Sequence, residues 1–351
     1  MVHAQTMPTA RPELDWQRLP DLPDTIGYAG PFAGVSNGAL IVAGGANFPD
    51  KMPWEGGRKV WHDQLYVLES PTSSWKTQWR LPRPLGYGVS VTTPQGAIFV
   101  GGCDDQQNFA DVYRVRWEAG RIEFETLPPL PEPVSCAAGA VLANTLYVAG
   151  GQPGPDPLSG PSMHQFWALD LTNPHAGWRV LEPWPGPERF YAVATAADGA
   201  FYLLSGIRRV LDASGQPTLE YLRDAYRYTP GPANSTAGRW ERLPDLPRPN
   251  AAAATPAPVL DDRFIVLLGN GADGAHVDVP MSQQPGFGRQ ILIFDLSRNQ
   301  WTQAGELPFG RAAVPLTTWR NRWVVPSGEV RAGVRSPHVY WAAPQPLAPN
   351  P

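Results

Sequence analysis

Six short apolar runs punctuate the chain, each β-branched or aromatic and each closing on small residues. They are Leu40 to Gly45, Ile98 to Gly102, Leu146 to Gly151, Phe201 to Gly206, Phe264 to Gly269 and Trp323 to Gly328. Counted from the first small residue of each, the intervals are 57, 49, 55, 63 and 59 residues. Within each run the apolar positions are continuous rather than alternating, the pattern of a strand buried on both faces. A second element is interleaved, in which an aromatic residue leads into a Leu/Pro turn. Its copies begin at Trp16, Trp79, Phe124, Trp178, Trp240 and Trp301. A third strand-like element lies between the two, over 64–68, 111–115, 165–169, 224–228, 290–294 and 337–341. Adding the segment before each apolar run gives four strands per repeat. No stretch holds a 3.6-residue apolar period with caps, so helices are not expected.

Four-stranded units recurring at about fifty residues predict an all-β, six-bladed kelch-type β-propeller. The last repeat ends after its third strand, and the first aromatic-Leu-Pro element precedes any apolar run. The N-terminal segment Leu14 to Leu19 therefore supplies the outer strand of the last blade and closes the ring, which removes two sheet edges. The expectation is one propeller over 13–342 with irregular tails at 1–12 and 343–351. The longer connections fall at 46–62, 152–163, 207–223 and 270–289 and are read as loops gathered on one face of the ring.

Composition changes this picture little. Charged residues are 17%, and the 41 prolines and 35 glycines sit at recurring turn positions. The formal net charge of −4 offers no pull toward nucleic acid or an anionic membrane. Cys103 and Cys136 lie in apolar segments without metal-ligand spacing and read as buried free thiols. No apolar run reaches a membrane span, and the first residues lack the apolar core of a signal peptide. The expectation is a cytoplasmic protein, or a periplasmic one if a leader has been removed, with the oligomeric state left open.

Chemistry concentrates in a few loops. In 46–62, Asn47, Phe48 and Trp54 could form one wall of a sugar pocket, aromatics stacking on the apolar sugar face; a solvated turn is the competing reading. Tyr221 and Arg223 precede a strand, and Arg223 either pairs with Asp224 or points at an anionic ligand. Asp104 and Asp105 read as a solvated turn, since no third acidic ligand stands near. The six histidines show no short metal spacing, although His62 and His276 could reach the channel mouth. No phosphate loop or nucleophile elbow is present. Glu329, Arg331 and Arg335 stand out in Pro326 to Pro337, because a hairpin does not need Glu329 and Arg335 in order to turn. An arginine suits bidentate recognition of a carboxylate, and a carboxylate in a partly dry channel can shuttle a proton. A salt bridge that only stiffens the loop is the alternative.

With these residues in view the chain resembles the sialic acid mutarotases, also called N-acetylneuraminate epimerases. The likeness is carried by Gly328-Glu329-Val-Arg-Ala-Gly333-Val-Arg335-Ser336, by Gly30-Pro-Phe32-Ala-Gly-Val-Ser-Asn37 running on to Phe48, by Leu85 to Ser90, and by Gly305-Glu-Leu307. The segment containing Glu329 comes last here, whereas in better-known members it comes earlier, so the chain resembles a circularly permuted branch. The resemblance implies interconversion of the α and β anomers of N-acetylneuraminate, a small sugar acid, by acid–base ring opening and closing. It implies no cofactor and no metal, and it assigns catalysis to Glu329 and Arg335. Asn47, Phe48, Trp54, Tyr221, Arg223 and Arg331 would then contact substrate. The competing classes are a non-catalytic kelch propeller that binds carbohydrate or protein, and a copper-radical oxidase, which the scattered histidines do not suit.

Overall fold

The structure is a computed structural model, and it describes residues 14–154, 162–232, 237–274 and 279–344. Residues 1–12, 345–351 and His276 lie outside the described residues, whereas Ala343 and Pro344, expected in the irregular C-terminal tail, belong to the last strand because they pair with Asp15 and Leu14. Six antiparallel four-stranded sheets are arranged as the blades of a propeller. In the first blade the strands run, from the axis outward, over Phe32–Ser36, Ala39–Ala43, Gln64–Leu68 and Lys76–Arg80. The second apolar strand is buried at every position because a neighbouring blade covers each face, whereas Lys76–Arg80 at the rim has no buried position. Five blades repeat this plan in chain order.

The sixth blade is composite. Thr317–Trp319, Arg322–Pro326 and Val339–Pro344 come from the C-terminal end, and Leu14–Arg18 adds the outer strand, pairing from Leu14 with Pro344 to Arg18 with Tyr340. The apolar core is divided among the gaps between blades. One cluster joins Phe32 and Ile41 to Phe99 and Val115, and another carries Leu40 and Val42 across to Val324 and Val339, so the last blade is sealed to the first.

Two recurrent bonds tie the blades together. Tryptophan Nε1 groups reach back to the turn of a neighbouring blade. Trp75, Trp178 and Trp301 donate to the carbonyls of Pro20, Pro128 and Pro244, and Trp240 to that of Glu182, each at 2.9 Å. This accounts for the Leu/Pro turn as a repeat element. Nearer the axis, one residue per blade closes a ring of backbone hydrogen bonds. Gly30, Tyr87, Cys136, Tyr191, Ala252 and Ala313 each donate an N–H to the carbonyl of its counterpart in an adjacent blade, at 2.6–2.9 Å. All six hold positive φ, between 48° and 61°. Five of them are not glycine, and each pays on the order of 1 kcal/mol or more for that conformation. At Gly44, an added Cβ would sit 2.2 Å from the carbonyl oxygen of Leu85, so only glycine lets the blades converge there.

The reading of 207–223 as a loop is corrected. Strands Ala200–Leu211 and Pro217–Pro230 continue as a long hairpin, with Ile207 opposite Tyr221 and Arg208 opposite Glu220. The 46–62 connection also carries order, a short ladder of Ala46–Asn47 against Val60–Trp61 and one 3-10 turn at Pro53–Glu55.

Ring closure depends on Trp16, whose indole packs edge-on against Phe309 at 5.1 Å. Trp16→Ala should cost about 2 kcal/mol of unfolding free energy, since a half-buried aromatic is lost and a rim strand loosened. Reversible denaturant unfolding measures it. A loss below about 0.5 kcal/mol, the range of an ordinary surface substitution, would mean that the N-terminal strand does not hold the ring shut.

Candidate functional site

Between the second and third strands of the sixth blade, the chain makes a small hairpin, Glu329–Arg331 against Val334–Arg335. Backbone bonds in both directions join Glu329 to Ala312, at 2.9 and 3.0 Å, and Ala312 precedes a residue of the axial ring. The Glu329 side chain therefore starts beside the channel mouth. Its Oε1 accepts the N–H of Gly333 at 2.8 Å, which fixes the carboxylate within its own turn. Gly333 holds φ +81°, and a side chain there would meet Pro53. Arg335 closes the hairpin with Nη1 3.0 Å from Glu329 Oε1 and its side chain only 4% exposed. The distance is that of an ion pair, but the buried Nη1 has no well-aligned hydrogen-bond acceptor. The guanidinium lies over the Phe48 ring at 4.6 Å. Burial works against its charge, but the Glu329 carboxylate, with Tyr87 and Tyr191 behind it, outweighs burial and holds its pKa above the usual arginine value.

Beneath this pair is an apolar floor of Ala29, Ala46, Tyr87, Cys136, Phe190 and Ile207, with Trp61, Tyr191 and Tyr221 packed against it. Lys59 reaches over this wall, its ammonium 4.2 Å from the Tyr87 ring and 4.5 Å from that of Trp61. The side chains at the ring positions are unevenly distributed. Three successive blades present Tyr87, Cys136 and Tyr191, and the other three present Ala252, Ala313 and Gly30. Burial of the hydroxyl, then the adjacent Cys136 thiol and the Tyr87 hydroxyl, push Tyr191 well above its usual range, and the Glu329 charge adds to this.

The residues expected to contact substrate separate into groups. Phe48 and Tyr221 belong to the neighbourhood of the pair, one under Arg335 and one against the floor. Asn47 is fully buried, and its amide is used internally, donating to the Gly27 carbonyl at 3.0 Å and bonding His62 Nε2 at 2.8 Å, so in this arrangement it props the loop rather than facing a ligand. Burial lowers the His62 pKa. Arg331 stacks over Trp54 at 4.9 Å and donates to the Ser282 carbonyl, which brings those two together as a lateral strut. Arg223 is exposed and donates to the Leu246 carbonyl, and the suggested pairing with Asp224 is not formed. Asp224 is taken by Arg189 in a buried two-point contact at 2.7 and 2.8 Å. Asp104 caps its own turn through the Gln106 and Gln107 N–H groups, and Asp105 pairs with Arg58.

Lys59, Tyr87 and Tyr191 were missed in the sequence. The ring residue stands two before the inner strand in the first four blades, and superposing those repeats would have shown Tyr87, Cys136 and Tyr191 as bulky residues where the first blade has Gly30.

Both cysteines are free and buried. Burial raises Cys103 to about 12 and Cys136 to about 11. The folded protein thus keeps both thiols neutral. The stability this contributes is full below the ordinary thiol pKa and is lost as pH rises toward those values. At about pH 8 iodoacetamide should leave both intact in the native protein and alkylate both in guanidinium, read by mass spectrometry. Prompt native labelling of either would show an exposed thiolate instead.

Known proteins resemble this chain in sequence and in shape. A family profile described as N-acetylneuraminate epimerase matches residues 2–124 and 127–279. Glu329 and Arg335 lie beyond the matched residues. A protein named N-acetylneuraminate epimerase from Haemophilus influenzae (strain PittEE) is 29% identical over 235 residues, covering 60% of this chain and 58% of the relative. One of the same name from Yersinia pestis (strain Pestoides F) is 28% identical over 240 residues, covering 62% and 57%. The chain thus spans less than two thirds of the length of these relatives. A solved structure, described as the structure of YjhT, superposes with a TM-score of 0.64 at 15% identity, over 90% of this chain and 94% of that one, a likeness of fold. By the extent of the profile match, the chain belongs to the N-acetylneuraminate epimerase family.

Proposed function

We propose that this protein interconverts the α and β anomers of N-acetylneuraminate, or of a closely related sugar acid, at the Glu329–Arg335 pair. One observation carries the reading: a carboxylate and a guanidinium sit side by side at the channel mouth, and the buried Nη1 lacks an aligned acceptor. A buried polar group left in that state is costly unless a ligand completes it. Family membership supplies the substrate class.

The chemistry balances without a redox partner. Glu329 takes the proton of the anomeric hydroxyl, the bond between the anomeric carbon and the ring oxygen breaks, and the ring oxygen receives that proton from Glu329. The opened ketone rotates, the hydroxyl attacks its other face, and the proton returns. Arg335 holds the sugar carboxylate. Held over Phe48 and backed by Glu329, its guanidinium keeps its charge despite burial. The floor of Tyr87, Trp61 and Tyr221 offers apolar surface to the sugar ring and keeps bulk water from the relay.

NMR of freshly released α-N-acetylneuraminate follows the approach to anomeric equilibrium. Glu329→Gln should lower the catalysed rate about 10²- to 10⁴-fold, the value of positioned acid–base assistance. Equal relaxation by variant and wild type would exclude Glu329 as the catalyst. If both also bound the sugar equally without accelerating its relaxation, the propeller would be a carbohydrate-binding module.

A further inference from the structure

Blades four and six carry the same buried arginine in the same place, and only one of the two has a carboxylate. Arg189 and Arg311 each stand two residues before a ring residue, Tyr191 and Ala313 respectively. Each bonds the carbonyl of a left-handed serine, Arg189 that of Ser205 and Arg311 that of Ser327, both at 2.8 Å. Each lies over a tyrosine of the third strand, Tyr226 at 5.3 Å and Tyr340 at 5.5 Å. The register between the copies is set by the serine hydroxyls, which bond the carbonyls of Leu222 and Ser336. Two residues on from these stand Asp224 and His338. In blade four Asp224 grips Arg189 through both oxygens. In blade six the matching residue is His338, which turns to Asp21 at 3.1 Å and Arg18 at 2.5 Å.

Arg311 is 4% exposed, and its bonded acceptors are neutral: the carbonyls of Ser327 and Gly310 and the hydroxyl of Ser336. Among the described residues it forms no ion pair. Burial, with Arg18 adding to it, pulls its pKa down to about 10 despite the nearby Tyr340. It borders a cleft of about 660 Å³ that lies between the 48–55 loop and the Glu329 hairpin, shared with Lys51, Arg335, Ser336 and His338. Asp50 and Glu55 also line this cleft, and Glu55 accepts the Met52 N–H rather than pairing with Arg311.

We infer that Arg311 is a carboxylate-binding site: a small carboxylate, free or carried by a sugar acid, enters the cleft and takes the place that Asp224 fills in blade four. The guanidinium retains N–H groups beyond its three bonds, since it has five. A two-point contact with a carboxylate matches its planar fork. The inference stands without the mutarotase reading, because it rests on the comparison of two blades. Blade four also shows how to close the site. His338→Asp would restore the internal carboxylate, and blade four holds Asp224 together with an Arg242–Asp245 pair that matches Arg18–Asp21 in blade six.

The test titrates wild type and His338→Asp with sodium acetate, then with N-acetylneuraminate, following arginine Nε–Hε NMR signals. Arg311 is assigned by the signal missing from Arg311→Lys. In wild type acetate should move the Arg311 signal saturably. His338→Asp should weaken that affinity at least about tenfold, the value of a charged hydrogen bond. It should also raise the melting temperature by roughly 2 °C or more. If N-acetylneuraminate moves the same signal, the carboxylate is the sugar acid's; if only acetate does, a separate acid is bound. An Arg311 signal unmoved by either ligand overturns the inference. So does an acetate affinity that His338→Asp leaves unchanged. If His338→Asp does not fold, the wild-type titration decides alone.

Discussion

Everything at the channel mouth depends on the closed ring of six backbone hydrogen bonds. Each donor sits in a left-handed conformation, which five non-glycine residues adopt at a cost. Such strain persists only where the surroundings over-determine it, and here each blade is held by two others. The cycle makes the axis rigid whatever side chain is present. Side-chain identity at the ring is therefore free to vary, and the chain uses this freedom unevenly, with Tyr, Cys and Tyr on one arc and Ala, Ala and Gly on the other. The Glu329 hairpin comes off the small-residue arc, tied by the backbone of Ala312.

The second constraint is charge burial. Two arginines near the hairpin are almost wholly removed from water, Arg335 beside Glu329 and Arg311 beside neutral acceptors. A buried charge costs several kcal/mol unless paired. Blade four meets this cost internally with Asp224, and blade six does so only in part. A repeat protein thus displays its own control: where one copy of a structural ion pair loses its acid, an anion site is left behind.

Much of the architecture was legible in the sequence because its signals are periodic. Continuous apolar runs ending in glycine mark strands covered on both faces, and the orphan Trp16 element required a partner at the other end of the chain. Glu329 and Arg335 were legible because the turn did not need them. The rest was hidden for identifiable reasons. The 207–223 ribbon looks like a loop because its rungs are charged and solvated, as in Arg208 opposite Glu220. Asn47 looks like a surface polar residue, yet its amide is consumed by the Gly27 carbonyl and His62. A pairing of Asp224 with its sequence neighbour Arg223, one of the two readings open in the sequence, does not form because adjacent residues in a strand point to opposite faces, and Arg189 arrives from elsewhere in the fold.

The central claim is that the Glu329–Arg335 pair is where the sugar acid sits. A crystal structure with 2-deoxy-N-acetylneuraminate, which lacks the anomeric hydroxyl and cannot ring-open, tests it most directly. The ring oxygen should lie within about 3.2 Å of a Glu329 carboxylate oxygen, with the sugar carboxylate on Arg335. A ligand bound away from the channel mouth, with Glu329 and Arg335 still closed on each other, would contradict the account.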